Sequence, residues 1–363
     1  MLPIGRVLTG SELLELQKQA TRHIGISLTE ACPLRCAHCI VGSVPPSKWR
    51  SVTLSLEQAH TYAEELAELH EAGIRHISFT GGEPVLALRA LRLLTAACAE
   101  TGISSTAITS CHWAGSSRAA ASMVRALHDV DNWHLSSDRY HSSFVPVGNV
   151  LRAANTVLES GRSVVIRMTV PLPVGDEDQQ LYQQLREALP DTVPILVQPV
   201  SKVGRAANLD VQTVGGQAQA PCLTSGLLVR YDGRVSPCCS SLSGLRTWHP
   251  FQYPLATETG LVGSFHAWLA DPLLKLIRSV GFAPVLAWLR EENVDHPVLR
   301  RLPGHPCQIC VDLWKEPEAV EVVRRRCADP LVRQKIAGVY EAVFGPPSNG
   351  AERECCPTEA SIP

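Results

Sequence analysis

An alternation in the first half of the chain limits the fold more than any other feature. Between Thr21 and Val200, six apolar or β-branched runs, at 23–29, 76–80, 105–110, 133–137, 163–170 and 193–200, read as strands. Stretches of helical period separate them, at 54–72, 86–100, 117–128, 149–159 and 177–189. The first places Leu54, Leu56, Ala59, Ala63, Leu66 and Leu69 near one face. Gly73, Gly102 and Gly161 stand where helix C-caps are expected. Parallel strands need crossovers, so six β/α units in series imply a parallel sheet wrapped by helices. Six units, where a closed barrel has eight, predict an open or partial barrel.

After Val200 the rhythm changes. Gly-rich polar segments at 201–206 and 215–221 place a boundary near residue 208. The run 227–237 reads as two short strands around an Asp232-Gly233 turn, and 266–301 returns to helical spacing. The expected organisation is an N-terminal extension over 1–20 and a core over 21–207. A small α+β unit with a helical insertion follows over 208–315, then a C-terminal helix and frayed tail over 316–363.

Lys and Arg number 33 against 35 Asp and Glu, a net charge of −2, which argues against nucleic acid or an anionic membrane surface as partner. No apolar run reaches the roughly 18–20 residues of a membrane span, and the first residues lack a signal-peptide pattern. The expected location is the cytoplasm. Thirteen cysteines, an odd number in a long chain without a secretion signal, do not read as a disulfide scaffold. Clustered thiolates in a reducing compartment read as metal or iron–sulfur ligands.

Cys32-Pro-Leu-Arg-Cys36-Ala-His-Cys39 follows the first strand directly. Its C-x3-C-x2-C spacing offers one thiolate fewer than four-cysteine ligation of a 4Fe–4S cluster, leaving one iron open. A zinc loop with His38 as fourth ligand is the alternative, disfavoured because His38 adjoins Cys39 more closely than zinc ligand pairs are usually spaced. Gly81-Gly82-Glu83-Pro84 closes the second strand. Alone it is a turn signal, with Gly for close approach and Pro to start a helix.

Together, at consecutive strand ends, the two motifs resemble the radical S-adenosylmethionine (SAM) superfamily over about residues 21–206. The resemblance implies an α/β fold, a partial (β/α)6 radical SAM barrel followed by a small α+β twitch-type iron–sulfur domain. It implies a SAM-binding 4Fe–4S cluster on Cys32, Cys36 and Cys39, with His38 packed near the adenine. Gly81, Gly82, Glu83 and Pro84 would hold the methionine end. The implied chemistry is reductive cleavage of SAM to methionine and a 5′-deoxyadenosyl radical that abstracts a substrate hydrogen. A flavodoxin or ferredoxin would supply the electron.

Cys222, Gly233 and Cys238 in a C-x10-G-x4-C pattern are similar to the SPASM and twitch domains found on such enzymes. Cys307 and Cys310 would complete a four-thiolate auxiliary 4Fe–4S site, the Asp232-Gly233 hairpin folding Cys222 toward Cys238. The further C-x5-C-x3-C of a full SPASM domain is absent, which favours the shorter twitch type; a zinc ribbon on the same four cysteines is the alternative.

Ligands of parallel α/β barrels bind at C-terminal strand ends. There the resemblance assigns Ser136 and Arg167 to SAM and Asp138 to the substrate side. Tyr140 and His141 are candidate acid, base or relay groups, although loop aromatics more often only shape a pocket. Arg167 could equally form an ion pair in the barrel wall. Arg205, in Gly204-Arg205-Ala206 after the sixth strand, is expected near the active site. Cys111, at the end of the third strand, is a candidate thiol hydrogen donor, and Cys239, beside Cys238, a candidate donor or alternative ligand, although Cys238 and Cys239 should point to opposite faces. The leading expectation is an enzyme that modifies a peptide or protein by oxidation, crosslinking or epimerisation. A small-molecule dehydrogenase or epimerase acting on a sugar or cyclitol is the second reading, and a zinc or iron–sulfur scaffold without catalysis the third.

Overall fold

The computed structural model describes residues 9–212, 220–238, 249–251 and 253–345, together with residues 2 and 242. Six strands follow the expected alternation: β1 (His23–Thr29), β2 (His76–Gly81), β3 (Ser104–Thr109), β4 (Asn132–Ser136), β5 (Ser163–Val170) and β6 (Ile195–Pro199). Two more, β7 (Leu227–Arg230) and β8 (Val235–Ser236), form the hairpin around Asp232-Gly233. The sheet runs β6-β5-β4-β3-β2-β1-β7-β8, with β8 alone antiparallel to its neighbour. Its two ends are not hydrogen-bonded to each other, so the barrel is open.

The hairpin is not separate from that sheet. β7 pairs with β1 in parallel, Ile24 opposite Leu227 and Ser27 opposite Arg230. The change of rhythm near residue 208 therefore marks a change of architecture without a break in hydrogen bonding.

Side chains alternate across each strand, and the two sheet faces differ sharply. Ile24, Ile26, Leu28, Ile77, Phe79, Trp133, Leu135 and Ile166 are fully buried and pack under the helices. Ser27, Ser78, Thr80, His134, Ser136, Arg167 and Thr169 take the alternate positions and line a wide concave cavity. A closed core fills one side while a polar wall is left for a ligand on the other.

Two helical segments differ from expectation. The 54–72 stretch is two helices, Leu56–Glu64 and Leu66–Glu71. At the break, the Glu65 carboxylate accepts the Val262 N–H at 3.0 Å and docks helix Ala256–Ala270 onto the barrel. The N-terminal extension contains a helix, Gly10–Ala20, capped reciprocally by Thr9 and Glu12. Beyond the hairpin every described element is a helix, and Pro272, Pro297, Pro306, Pro317 and Pro330 each open one where a missing N–H costs nothing. No single helix among the described residues is long and apolar enough to cross a membrane.

Candidate functional site

The three-cysteine loop leaves the end of β1 and is fastened at both ends. Cys32 N–H donates to the Val44 carbonyl and Val44 N–H to the Glu30 carbonyl, each at 2.9 Å. Arg205 braces the interior of the loop. Its Nε donates to the Cys36 carbonyl at 3.0 Å, its guanidinium to the Ser43 carbonyl at 2.7 Å, and its backbone N–H to the Cys39 carbonyl at 2.9 Å. Gly204 makes this approach possible: at φ +59°, a Cβ there would lie 2.4 Å from the Ile40 carbonyl oxygen.

Cys32, Cys36 and Cys39 all face the cavity. Burial pushes the Cys32 thiol up to about 12, and the neighbouring Glu83, Cys36 and Cys39 add to that. Burial also opposes ionisation of Cys39, yet hydrogen bonds from the Ser43 region and the Arg205 charge bring it below the usual thiol range. Ionising Cys32 beside its neighbours is thus unfavourable without a bound cation, the condition under which metal binding stabilises a loop.

The Gly81–Pro84 segment straps this loop from the side. Gly82 N–H donates to the Thr29 carbonyl at 2.6 Å and Glu83 N–H to the Ala31 carbonyl at 2.8 Å. A Cβ on Gly81 would meet the Thr29 oxygen at 2.2 Å, and one on Gly82 the Ala31 oxygen at 2.3 Å. Both glycines are therefore required by backbone contact. Pro84 is buried and opens the short 3-10 turn that follows.

Glu83 is set behind this segment. Its side chain is fully buried and absent from the cavity wall. Thr109 Oγ1 donates to it at 2.7 Å, Ser110 donates from N–H at 3.0 Å and Oγ at 2.5 Å, and His112 Nδ1 stands 3.6 Å away. Burial alone would raise this carboxyl, but His112 and the two hydroxyls hold it below the usual carboxylate range. Glu83 clamps the ends of β2 and β3 together, which leaves the Gly81–Gly82 backbone to face a ligand.

Asp138 lines the cavity and also organises the residues around it. It is 1% exposed, and its carboxylate accepts N–H groups of Tyr140 and His141 at 3.0 Å and Thr169 at 3.3 Å. His141 Nδ1 lies 2.9 Å and His38 Nε2 3.4 Å from the same oxygen. Against the effect of burial, Asp138 raises His141 to about 10, while burial draws His38 down to about 4 despite Asp138. Tyr140 stacks on His38 at 4.7 Å and does not line the cavity, so it shapes the loop. His38 and His141 do line it, as do Ser136 and Arg167, which stand opposite each other on β4 and β5.

Cys111 is turned away from the mouth. It is fully buried at a positive φ of 62°, and burial with the Glu83 charge holds its thiol well above the usual range. Cys239 lies outside the described residues.

The second cysteine group is brought together. Cys222 precedes β7, Cys238 follows β8, and Cys307 and Cys310 share helix Pro306–Leu313. Burial raises Cys222 and Cys310 strongly, and each feels the charges of Cys238 and Cys307. Trp314 Nε1 donates to Cys310 Sγ at 3.3 Å.

Among the described residues, no three cysteines have sulfurs all within 4.8 Å of one another; the one trio of ligand atoms that meets this limit is His38, Asp138 and His141. Both cysteine sets offer thiolate donors, which suit iron–sulfur clusters and zinc alike.

Comparison with known proteins agrees with the loop and the sheet. Residues 26–185 match the family model described as the radical SAM superfamily. The GTP 3′,8-cyclase of Synechococcus elongatus is 32% identical over 92 residues, 25% of this chain and 27% of that protein. That of Corynebacterium glutamicum is 44% identical over 69 residues, 18% of this chain and 17% of that protein. That of Moorella thermoacetica is 25% identical over 189 residues, 51% and 57% of the two chains. The chain thus spans between about a sixth and somewhat over half the length of these relatives. A solved structure of anSMEcpe with bound AdoMet superposes with a TM-score of 0.52 at 14% identity, covering 89% of this chain and 97% of that one. Another, with AdoMet and the Kp18Cys peptide, gives 0.50 at 14% identity over 88% and 96%. These two likenesses establish a shared fold. Over residues 26–185, this chain carries a radical SAM domain, the kind of domain that holds S-adenosylmethionine and a 4Fe–4S cluster.

Proposed function

We propose that the chain is a radical SAM enzyme that modifies a peptide or protein substrate and carries an auxiliary 4Fe–4S cluster on Cys222, Cys238, Cys307 and Cys310. The observation that carries this reading is the joining of both cysteine groups to one sheet. The first follows β1, and the second flanks the hairpin whose β7 pairs with β1. Cys32, Cys36 and Cys39 would hold the first cluster. Bound there, the cluster and SAM supply reductive cleavage to a hydrogen-abstracting 5′-deoxyadenosyl radical.

The chain's own residues prepare that site. Arg205 fixes the loop carbonyls and favours the Cys39 thiolate. The Gly81–Gly82 backbone is held against Thr29 and Ala31, and Glu83 keeps it there from behind. Asp138 orients His38 and His141, and Ser136 and Arg167 offer polar contacts on the wall. A flavodoxin or ferredoxin is the reductant of this reading. The peptide substrate is supported by the fold shared with anSMEcpe through its hairpin and helical region, one of whose structures holds a peptide. A small-molecule substrate is the second reading, favoured by the local identity to GTP 3′,8-cyclases, whose name gives a nucleotide.

Anaerobic reconstitution should give about eight irons per chain, two clusters of four. Deuterated substrate pools then separate the readings. Deuterium carried into 5′-deoxyadenosine from peptides supports the first; deuterium arriving only from sugars, cyclitols or nucleotides supports the second. Zinc at one per chain with about four irons would replace the auxiliary cluster by a ribbon.

A further inference from the structure

Arg278, in helix Pro272–Val280, is 3% exposed, and among the described residues no carboxylate is paired with it. Each of its three nitrogens nevertheless donates a hydrogen bond. Nε donates to Gln17 Oε1 at 2.9 Å, one terminal nitrogen to the Gln17 carbonyl at 2.6 Å, and the other to Tyr340 Oη at 3.2 Å. Trp268, Phe344 and Tyr340 surround the guanidinium carbon at 5.1, 5.6 and 5.8 Å. An arginine buried without a counter-charge is strongly unfavourable, so its place calls for an anion nearby.

That anion would come from the second cysteine group. Cys222 N–H donates to the carbonyl of Ile277, the residue before Arg278, at 2.8 Å. Gln17 Nε2 donates to the Cys222 carbonyl at 2.5 Å while its Oε1 accepts from Arg278, so one side chain spans the cysteine and the guanidinium. Besides the Tyr340 hydroxyl, the Cys222 sulfur is the acidic group whose charge Arg278 feels. A 4Fe–4S cluster with four thiolates is anionic in both common oxidation states and gains a further negative charge on reduction. Net charge nearby and hydrogen bonds to sulfur set its potential.

We propose that Arg278, held by Gln17 and Tyr340 beside Cys222, is a positioning residue that raises the reduction potential of the auxiliary cluster. This rests on the auxiliary-cluster reading above. The Trp314 N–H on Cys310 acts in the same direction from another side of the site. The grip has a structural consequence as well. Arg278 ties the N-terminal helix Gly10–Ala20 and the C-terminal helix Pro330–Phe344 to the cluster wall, so neither helix can leave without unpairing a buried charge.

The test is a redox titration followed by electron paramagnetic resonance in chain lacking the first cluster (Cys32, Cys36 and Cys39 all to Ala). The parent of this series should hold about four irons. Arg278→Gln should lower the equilibrium constant for one-electron uptake at least tenfold, a downward shift of about 59 mV. Gln17→Glu is nearly isosteric and places a carboxylate against the guanidinium, so it should lower the potential too; it serves if Arg278→Gln fails to fold. Arg278→Lys, which keeps the charge, should stay closer to the parent. Four irons with an unmoved potential in Arg278→Gln or Gln17→Glu would overturn this inference alone. A parent without iron would overturn the auxiliary-cluster reading and this inference with it.

Discussion

Arg205 and Cys36 lie 169 residues apart, and the Arg205 Nε–H donates to the Cys36 carbonyl at 3.0 Å. The end of the six-unit alternation thus returns to brace the loop at its beginning. The Arg205 side chain donates three hydrogen bonds to this loop, to the Cys36 carbonyl and to the Ser43 carbonyl and hydroxyl, which a neutral side chain does not reproduce. Arg205→Met should therefore destabilise the loop by roughly 2 kcal/mol, within the range for hydrogen bonds to charged groups. Faster amide exchange over residues 36–43 and a lower iron yield from limiting iron would show it. Unchanged exchange and full iron would contradict the bracing role.

Gly82→Ala places a methyl group 2.3 Å from a backbone oxygen of Ala31, where no flexible side chain can yield. We expect at least a tenfold loss of SAM affinity and a loss of about 1–3 kcal/mol in stability. Gly115→Ala, with nothing within 4 Å of the added carbon, is the control and should be near neutral. Calorimetric binding of SAM to the reconstituted variants decides this.

The Glu83 carboxyl is held below its usual range, by His112 and the Ser110 and Thr109 hydroxyls, against burial. A depressed carboxyl contributes stability above its unfolded value, and the contribution disappears as pH falls through the lower folded value. Denaturant melts should show the native chain losing this contribution below the ordinary carboxylate range. Glu83→Gln should be less stable at pH 7 by roughly 1–3 kcal/mol and show a flatter acid limb. An equally steep acid limb in the variant would remove Glu83 as the clamp.

The sheet was legible because each strand and crossover carries its own periodicity, and Cys32, Cys36, Cys39 and Gly81–Pro84 are local patterns. Glu83's role was not, because Thr109, Ser110 and His112 become its partners only once β3 lies beside β2. The turn-capping by Asp138 was not legible either, because a strand-end Asp reads alike whether it meets a ligand or caps a turn. Gln17 and Arg278 lie in amphipathic helices, where polar residues read as solvated, and their pairing spans 261 positions. The Thr9–Glu12 capping box was written in the sequence, a local signal that could have revealed the first helix.

SAM cleavage measured together with iron content tests the central claim most directly. Reconstituted anaerobically and given SAM and dithionite, the native chain should release 5′-deoxyadenosine. The variant with Cys32, Cys36 and Cys39 changed to Ala should release none while keeping about half the iron, that of one four-iron cluster. Near-full iron in that variant, or no 5′-deoxyadenosine from a native chain with its iron complete, would contradict the account.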